Sequence, residues 1–182
     1  MLINQPNIPG VQLLRSIEAV LAQQPSYVFV SVKPQDYSLE LQAEIQKTYA
    51  VRVGCMAGLY DPRALGLDIV YMPNILIAVG RSVIFAHAGD WVTDIQRLQF
   101  TALMSNAGDV IWVDTPKLMH TGLAATGSGV VIPLWFKQQA VASLESVGIP
   151  RRQALMRVLN AGQQMNTMVM NLKSGEDLNS IY

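Results

Sequence analysis

Short apolar runs alternate with helical stripes along the first part of the chain, and this pattern changes character near residue 115. Leu13, Leu14, Ile17, Val20 and Leu21 recur at the spacing of one helix face, predicting a short amphipathic helix that ends before Pro25. Tyr27–Val32 (Y-V-F-V-S-V) is apolar and β-branched, the pattern of a strand buried on both faces of a parallel sheet. Lys33-Pro34-Gln35 stops it, because proline cannot continue a central ladder. Leu41 and Ile45 mark a helix finishing near Tyr49. Val51–Gly54 is a second strand leading into the turn Met56-Ala57-Gly58, and Ile69–Met72 a third, stopped by Pro73 and Asn74. Val83–Ala86 is a fourth. Thr93 and Gln96 form a capping box for a helix carrying Ile95, Leu98 and Ala102, ended by Gly108. Val110–Val113 is the fifth strand. Strands alternating with helices in this way predict an α/β layer.

From Lys117 onward no strand pattern recurs. Leu134, Ala140, Val141, Leu144 and Val147 define one helix, closed at Gly148-Ile149-Pro150. A second runs from about Arg151 to Leu172, with Ala154, Leu155, Val158, Leu159, Met165, Met168, Val169 and Leu172 on one broad stripe. The chain therefore divides into an α/β part, residues 1–115, and an all-helical part, residues 116–182. Between them lies a small-residue run, Ala124-Ala125-Thr126-Gly127-Ser128-Gly129, opening into an apolar helical pattern. Two local readings fit it. One is a helix N-terminus whose free N–H groups suit a carboxylate or phosphate. The other is a plain glycine turn with Thr126 or Ser128 as N-cap.

Composition narrows the partners. With 182 residues the chain is long enough to bury a sizeable core. Its 13 basic and 13 acidic side chains cancel, and only 14% of residues are charged. The concentrated positive charge that nucleic acid or an anionic membrane surface requires is lacking. A hydrophobic share of 51% implies extra buried surface, such as an oligomer interface. Cys55 stands alone, so no internal disulfide is expected and a reduced, cytoplasmic setting is the simplest match. The start of the chain lacks the basic and apolar segments of a signal peptide, and no apolar run approaches the roughly 18 residues of a membrane span. His87 and His120 have no Asp, Glu or Cys partner at ligand spacing, so no metal site is expected. Trp91, Trp112 and Trp135 read as packing residues.

Taken in order, several short motifs resemble those of the pyrroline-5-carboxylate reductases. Val28–Gln35 (V-F-V-S-V-K-P-Q) is similar to an apolar strand ending in V-K-P-Q, and Cys55-Met56-Ala57-Gly58 to a turn ending in A-A-G. Tyr71-Met72-Pro73-Asn74 is similar to R-V-M-P-N, and Asp114 follows a strand as in V-D. Thr126–Gly129 resembles S-G-S-G-P-A, and Ser146–Gly162 a helix–turn–helix of the type G-L-P-R-x-x-A. The resemblance implies a partial Rossmann-like, doubly wound sheet followed by an all-α oligomerisation domain. It implies that Val32, Lys33 and Pro34 line an NADP(H) groove at the carboxyl end of a strand, where ligands sit in open α/β sheets. Ala57, Met72, Pro73 and Asn74 would approach the nicotinamide, and Gly127, Ser128 and Gly129 would hold the substrate carboxylate beside a partner subunit's helices.

The departures are equally specific. The family's opening strand and glycine-rich phosphate loop have no counterpart before Tyr27, and its later S-P-G-G-T-T turn is absent from residues 1–182. Val130 replaces a proline, Thr115-Pro116 replaces acidic residues, Leu123 a threonine and Arg81 a glycine. Three readings follow. The chain is a degenerate member with weak or no dinucleotide binding, acting as a binding or interaction protein. Alternatively it is an active NAD(P)H-dependent reductase of 1-pyrroline-5-carboxylate whose missing elements come from another chain. The third is a truncated product without an independent role. Under the first two, residues 134–172 form a homodimer or larger assembly, and a second chain covers the exposed edge at Tyr27–Val32.

Overall fold

Five strands lie side by side in chain order: β1 (Tyr27–Val30), β2 (Val51–Cys55), β3 (Ile69–Pro73), β4 (Ser82–Ala88) and β5 (Gly108–Trp112). The computed structural model describes residues 9–56 and 61–171, and all statements concern these. β1, β2 and β3 run parallel, β4 runs antiparallel to β3, and β5 is parallel to β4. The sheet is therefore mixed. The carboxyl ends of β1–β3 share one edge with the amino ends of β4 and β5.

Helices α2 (Leu39–Ile45) and α3 (Pro62–Leu65) connect the three parallel strands, and α4 (Asp94–Met104) connects β4 to β5. One sheet face packs Val28, Val30, Val70 and Phe85 against Ile45 of α2 and Met119 of α5 (Pro116–Leu123). The other packs Val53, Ile69, Tyr71, Ile84 and Ala86 against Phe100 and Met104 of α4. The reversed direction of β4 and β5 explains this division. A right-handed crossover places its helix on opposite faces when strand direction flips but the march across the sheet does not. Alternation of side chains along each strand then feeds both cores.

The strands fall where the apolar runs predict, with three corrections. β1 is four residues long and sits at the edge of the sheet; Phe29 is 39% exposed, so this strand is not buried on both faces. The helix expected across Leu13–Leu21 is only α1 (Ile17–Leu21), because Ser16 caps it by accepting from Ala19 N. In α4 the capping box forms as expected, yet Ile95 and Leu98 point outward, 67% and 70% exposed. Phe100 and Met104, a turn apart, hold that helix to the sheet instead.

The chain parts into two compact units between Thr126 and Gly127, while the purely helical region begins at Pro116. No glycine turn interrupts it. α5 passes through a π-helical turn, Ala124–Ser128, directly into α6 (Gly129–Ser146). The helix N-terminus and the N-cap turn considered for Thr126–Gly129 are thus both absent. α6 starts earlier than its apolar stripe suggests and contains Pro133, which cannot donate to the Gly129 carbonyl. Gly148, at φ +89°, turns the chain into α7 (Arg151–Met170). Leu172, expected in this last helix, lies outside the described residues, as do Ser174–Asp177.

Candidate functional site

The sheet gathers most of the residues singled out for the cofactor at one edge. Val32 and Lys33 follow the end of β1, Lys33 with extended backbone ahead of the 3-10 turn Pro34–Asp36. Met72 and Pro73 end β3, and Asn74 caps the 3-10 turn Ile75–Val79. Neighbouring strands lie about 4.8 Å apart, so the two exits stand about 10 Å apart across the end of β2. Val32, Pro34, Met72 and Pro73 are half-buried and Lys33 is exposed. Ala57, the remaining cofactor candidate, lies outside the described residues.

This edge carries half-buried apolar side chains and one exposed cation, groups of the kind that could hold a flat ring and an anionic group. Asn74 is different. It is 5% exposed and both polar atoms of its side chain are engaged. Oδ1 accepts from Leu76 N at 3.1 Å, and Nδ2 donates to the Thr126 carbonyl at 3.3 Å. Its own backbone N–H donates to Ser82 Oγ at 2.9 Å, tying β3's exit to the start of β4.

Next to Met72, Tyr71 of β3 stands opposite Cys55 of β2 in the strand register. Burial, with Cys55 next to it, pushes the Tyr71 hydroxyl well above its ordinary range. Burial likewise pushes the Cys55 thiol up. Both groups stay neutral near pH 7, which removes Cys55 as a ready thiolate. Sequence spacing carries no sign of this pair, since it depends on which strands become neighbours.

Gly127, Ser128 and Gly129 lie in or just after the π-helical turn, and the Thr126 hydroxyl donates to the Gly122 carbonyl at 3.1 Å. The helix N-terminus that would have supplied free amides there does not exist. Gly122 is needed for a close approach, because the space of a side chain is filled by the Phe85 ring. A π-turn inside a longer helix often marks a functional segment, and that observation now carries the interest of this stretch.

The opposite edge of the sheet holds a network no motif announced. Arg52 donates to Asp68 from Nε (2.9 Å), Nη2 (2.7 Å) and its backbone N–H (2.8 Å), and Trp91 Nε1 donates to Asp68 Oδ1 at 2.8 Å. Burial alone would push the Asp68 carboxyl up. The bonds from Arg52 and Trp91, with the Arg52 charge, outweigh it and hold Asp68 below the ordinary aspartate range. A shallow concavity of about 460 Å³ opens at this end, lined by Leu21, Pro25, Ser26 and Lys47–Ala50, away from the cofactor candidates. His87 Nδ1 donates to the Val113 carbonyl at 2.9 Å. Among the described residues no group of three or more His, Cys, Asp or Glu side chains comes together, and no helix is long and apolar enough to cross a membrane.

The mixed five-stranded sheet and the helices that follow it are similar to the fold of the pyrroline-5-carboxylate reductases, Rossmann-like with a C-terminal helical part. The chain is similar to the Coxiella burnetii pyrroline-5-carboxylate reductase at 19% identity and TM-score 0.73, over 94% of this chain and 66% of that one. It is similar to the Plasmodium falciparum pyrroline carboxylate reductase with NADP bound at 17% identity and TM-score 0.77, over 97% and 72%. The Streptococcus pyogenes enzyme gives 17% and 0.71, over 88% and 62%. The chain thus spans about two thirds of these proteins' length. No protein-family profile and no curated protein matches it. The fold implied by the short motifs is the fold observed.

Proposed function

We propose that this chain is a reductase-type protein of the pyrroline-5-carboxylate class, with the carboxyl edge of β1–β3 taking the nicotinamide end of NADP(H). One observation carries the reading: V-K-P and M-P, far apart in sequence, share one edge of a sheet similar to the reductase fold. When bound, the dinucleotide supplies the hydride. The chain's part is to hold and orient: Val32, Pro34, Met72 and Pro73 face the ring and Lys33 an anionic group. Gly127, Ser128 and Gly129 are the substrate-side residues. Residues 134–172 join two or more copies, through apolar side chains such as Leu134, Leu155, Leu159 and Met168 that stay exposed in the single chain.

A second reading has its own observation. β1 is an edge strand among the described strands, and its own Phe29 is part-exposed. An open edge accepts another strand. A second polypeptide pairing there completes the cofactor groove in the reductase reading; in the interaction-protein reading, strand capture is itself the function. Titration of the purified chain with NADPH, followed by its oxidation in the presence of 1-pyrroline-5-carboxylate, separates the two. Saturable micromolar binding with turnover supports the reductase. Absence of both, with no recovery on adding a strand-donating partner, leaves the interaction protein.

A further inference from the structure

The geometry points to Asn74 as a positioning residue that latches Thr126, in the middle of the π-helical turn and the last residue of the first unit, to the exit of β3. It holds whether or not a dinucleotide binds. Two backbone groups fix the orientation of the Asn74 carboxamide. Leu76 N–H is a donor and can only meet Oδ1; the Thr126 carbonyl is an acceptor and can only meet Nδ2. Asn74 is buried and both bonds are part-buried, which limits competition from water. Ser82 Oγ secures the same residue from below by accepting its backbone N–H at 2.9 Å.

The other end of the latch is a weak point in its helix. A π-turn shifts bonding from the fourth to the fifth residue and is less favourable than α-helix. Two glycines, Gly127 and Gly129, lie in or against it, and Pro133 removes the N–H that would bond the Gly129 carbonyl. Within the preceding turn, Gly122 brings the backbone against Phe85 of β4, and the Thr126 hydroxyl bonds back to the Gly122 carbonyl. An outside donor at the Thr126 carbonyl therefore meets a segment that its own helix secures poorly. One carboxamide thus bonds both the turn after β3 and the last residue of the first unit.

Amide hydrogen exchange on the full chain tests this without a ligand. Asn74→Asp keeps an acceptor for Leu76 N–H but sets a carboxylate oxygen against the Thr126 carbonyl. Exchange of amides 124–131 is expected to speed at least tenfold, with the Leu76 amide and those of β3 and β4 unchanged. Asn74→Ala is expected to release Leu76 as well. Unchanged exchange at 124–131 in Asn74→Asp, or an equal rise across β3, β4 and that segment, overturns the latch. If Asn74→Asp does not fold, Asn74→Ser carries the same test: serine caps the 3-10 turn but is too short to reach Thr126.

Discussion

The sheet unit and the helical pair treat apolar side chains in opposite ways. In the sheet unit Phe100, Ile45, Met56, Leu67, Ile69 and Ile84 are fully enclosed, and β-strand alternation sends side chains to two covered faces. In α6 and α7 only Val141 and Ala154 are buried, while Trp135 is 54% exposed and meets its neighbour Phe136 edge-on. Two helices alone can hide one stripe each. A third layer is required to hide the rest, and the described residues of the second unit supply none. The high hydrophobic share of the sequence thus has two origins: a closed core in one unit and an uncovered surface in the other.

The sharpest way to break this contrast is a cavity in the closed core. Phe100 contacts Phe29, Tyr71 and Trp112 with ring centroids 5.6 to 6.4 Å apart. Phe100→Ala is expected to destabilise the sheet unit by about 3–5 kcal/mol, read as a shifted urea midpoint. A loss under about 1 kcal/mol would mean the core is not closed.

The Asp68 network comes next. Asp68→Asn keeps an acceptor for Trp91 but strips Arg52 of its counter-charge, with an expected loss of about 2 kcal/mol near pH 7. The pH dependence follows from a carboxyl held low in the folded state. Its contribution is complete above the ordinary aspartate value of about 3.9 and disappears as pH falls through the lower folded value. Wild-type protein should therefore lose stability below about pH 4 by a component that Asp68→Asn lacks. Parallel acid-unfolding slopes for the two proteins would contradict this.

The smallest effect on folding should come from the open surface. Leu159→Lys with Met168→Lys is expected to change unfolding free energy by no more than about 0.5 kcal/mol. The same pair should reduce the mass measured by light scattering, since both side chains lie on the surface assigned to self-association. An unchanged mass would remove that surface from the assembly.

Much of the fold was legible because its signals are local. Apolar runs bounded by Pro25, Pro34, Pro73 and Gly108 mark strands, and Thr93 with Gln96 marks a helix start. Strand direction is not local: V-I-F-A reads the same whether β4 pairs parallel or antiparallel with β3. The outward face of α4 misled because Ile95 and Leu98 match a helical stripe as well as Phe100 and Met104 do. The A-T-G-S-G stretch misled for another reason. Glycine and threonine favour turns, and only tertiary anchoring through Asn74 and Phe85 accompanies the helical path seen here. At the candidate site, the edge shared by Val32–Pro34 and Met72–Asn74 followed from strand order, whereas the hydrogen-bonded state of Asn74 required coordinates.

The antiparallel pairing of β3 with β4 has a consequence for the order in which the sheet can assemble. Its two strands are joined by Asn74–Arg81 alone, through a 3-10 turn closed by Gly80 at φ +67°. The links from β1 to β2 and from β4 to β5 are more than twice as long, and each doubling of a loop adds about 0.6 kcal/mol to its closure. The β3–β4 pair is therefore the entropically cheapest contact in the sheet and the natural seed for it. β1, reached last across the longest crossover, is one of the two edge strands among the described residues, β5 being the other.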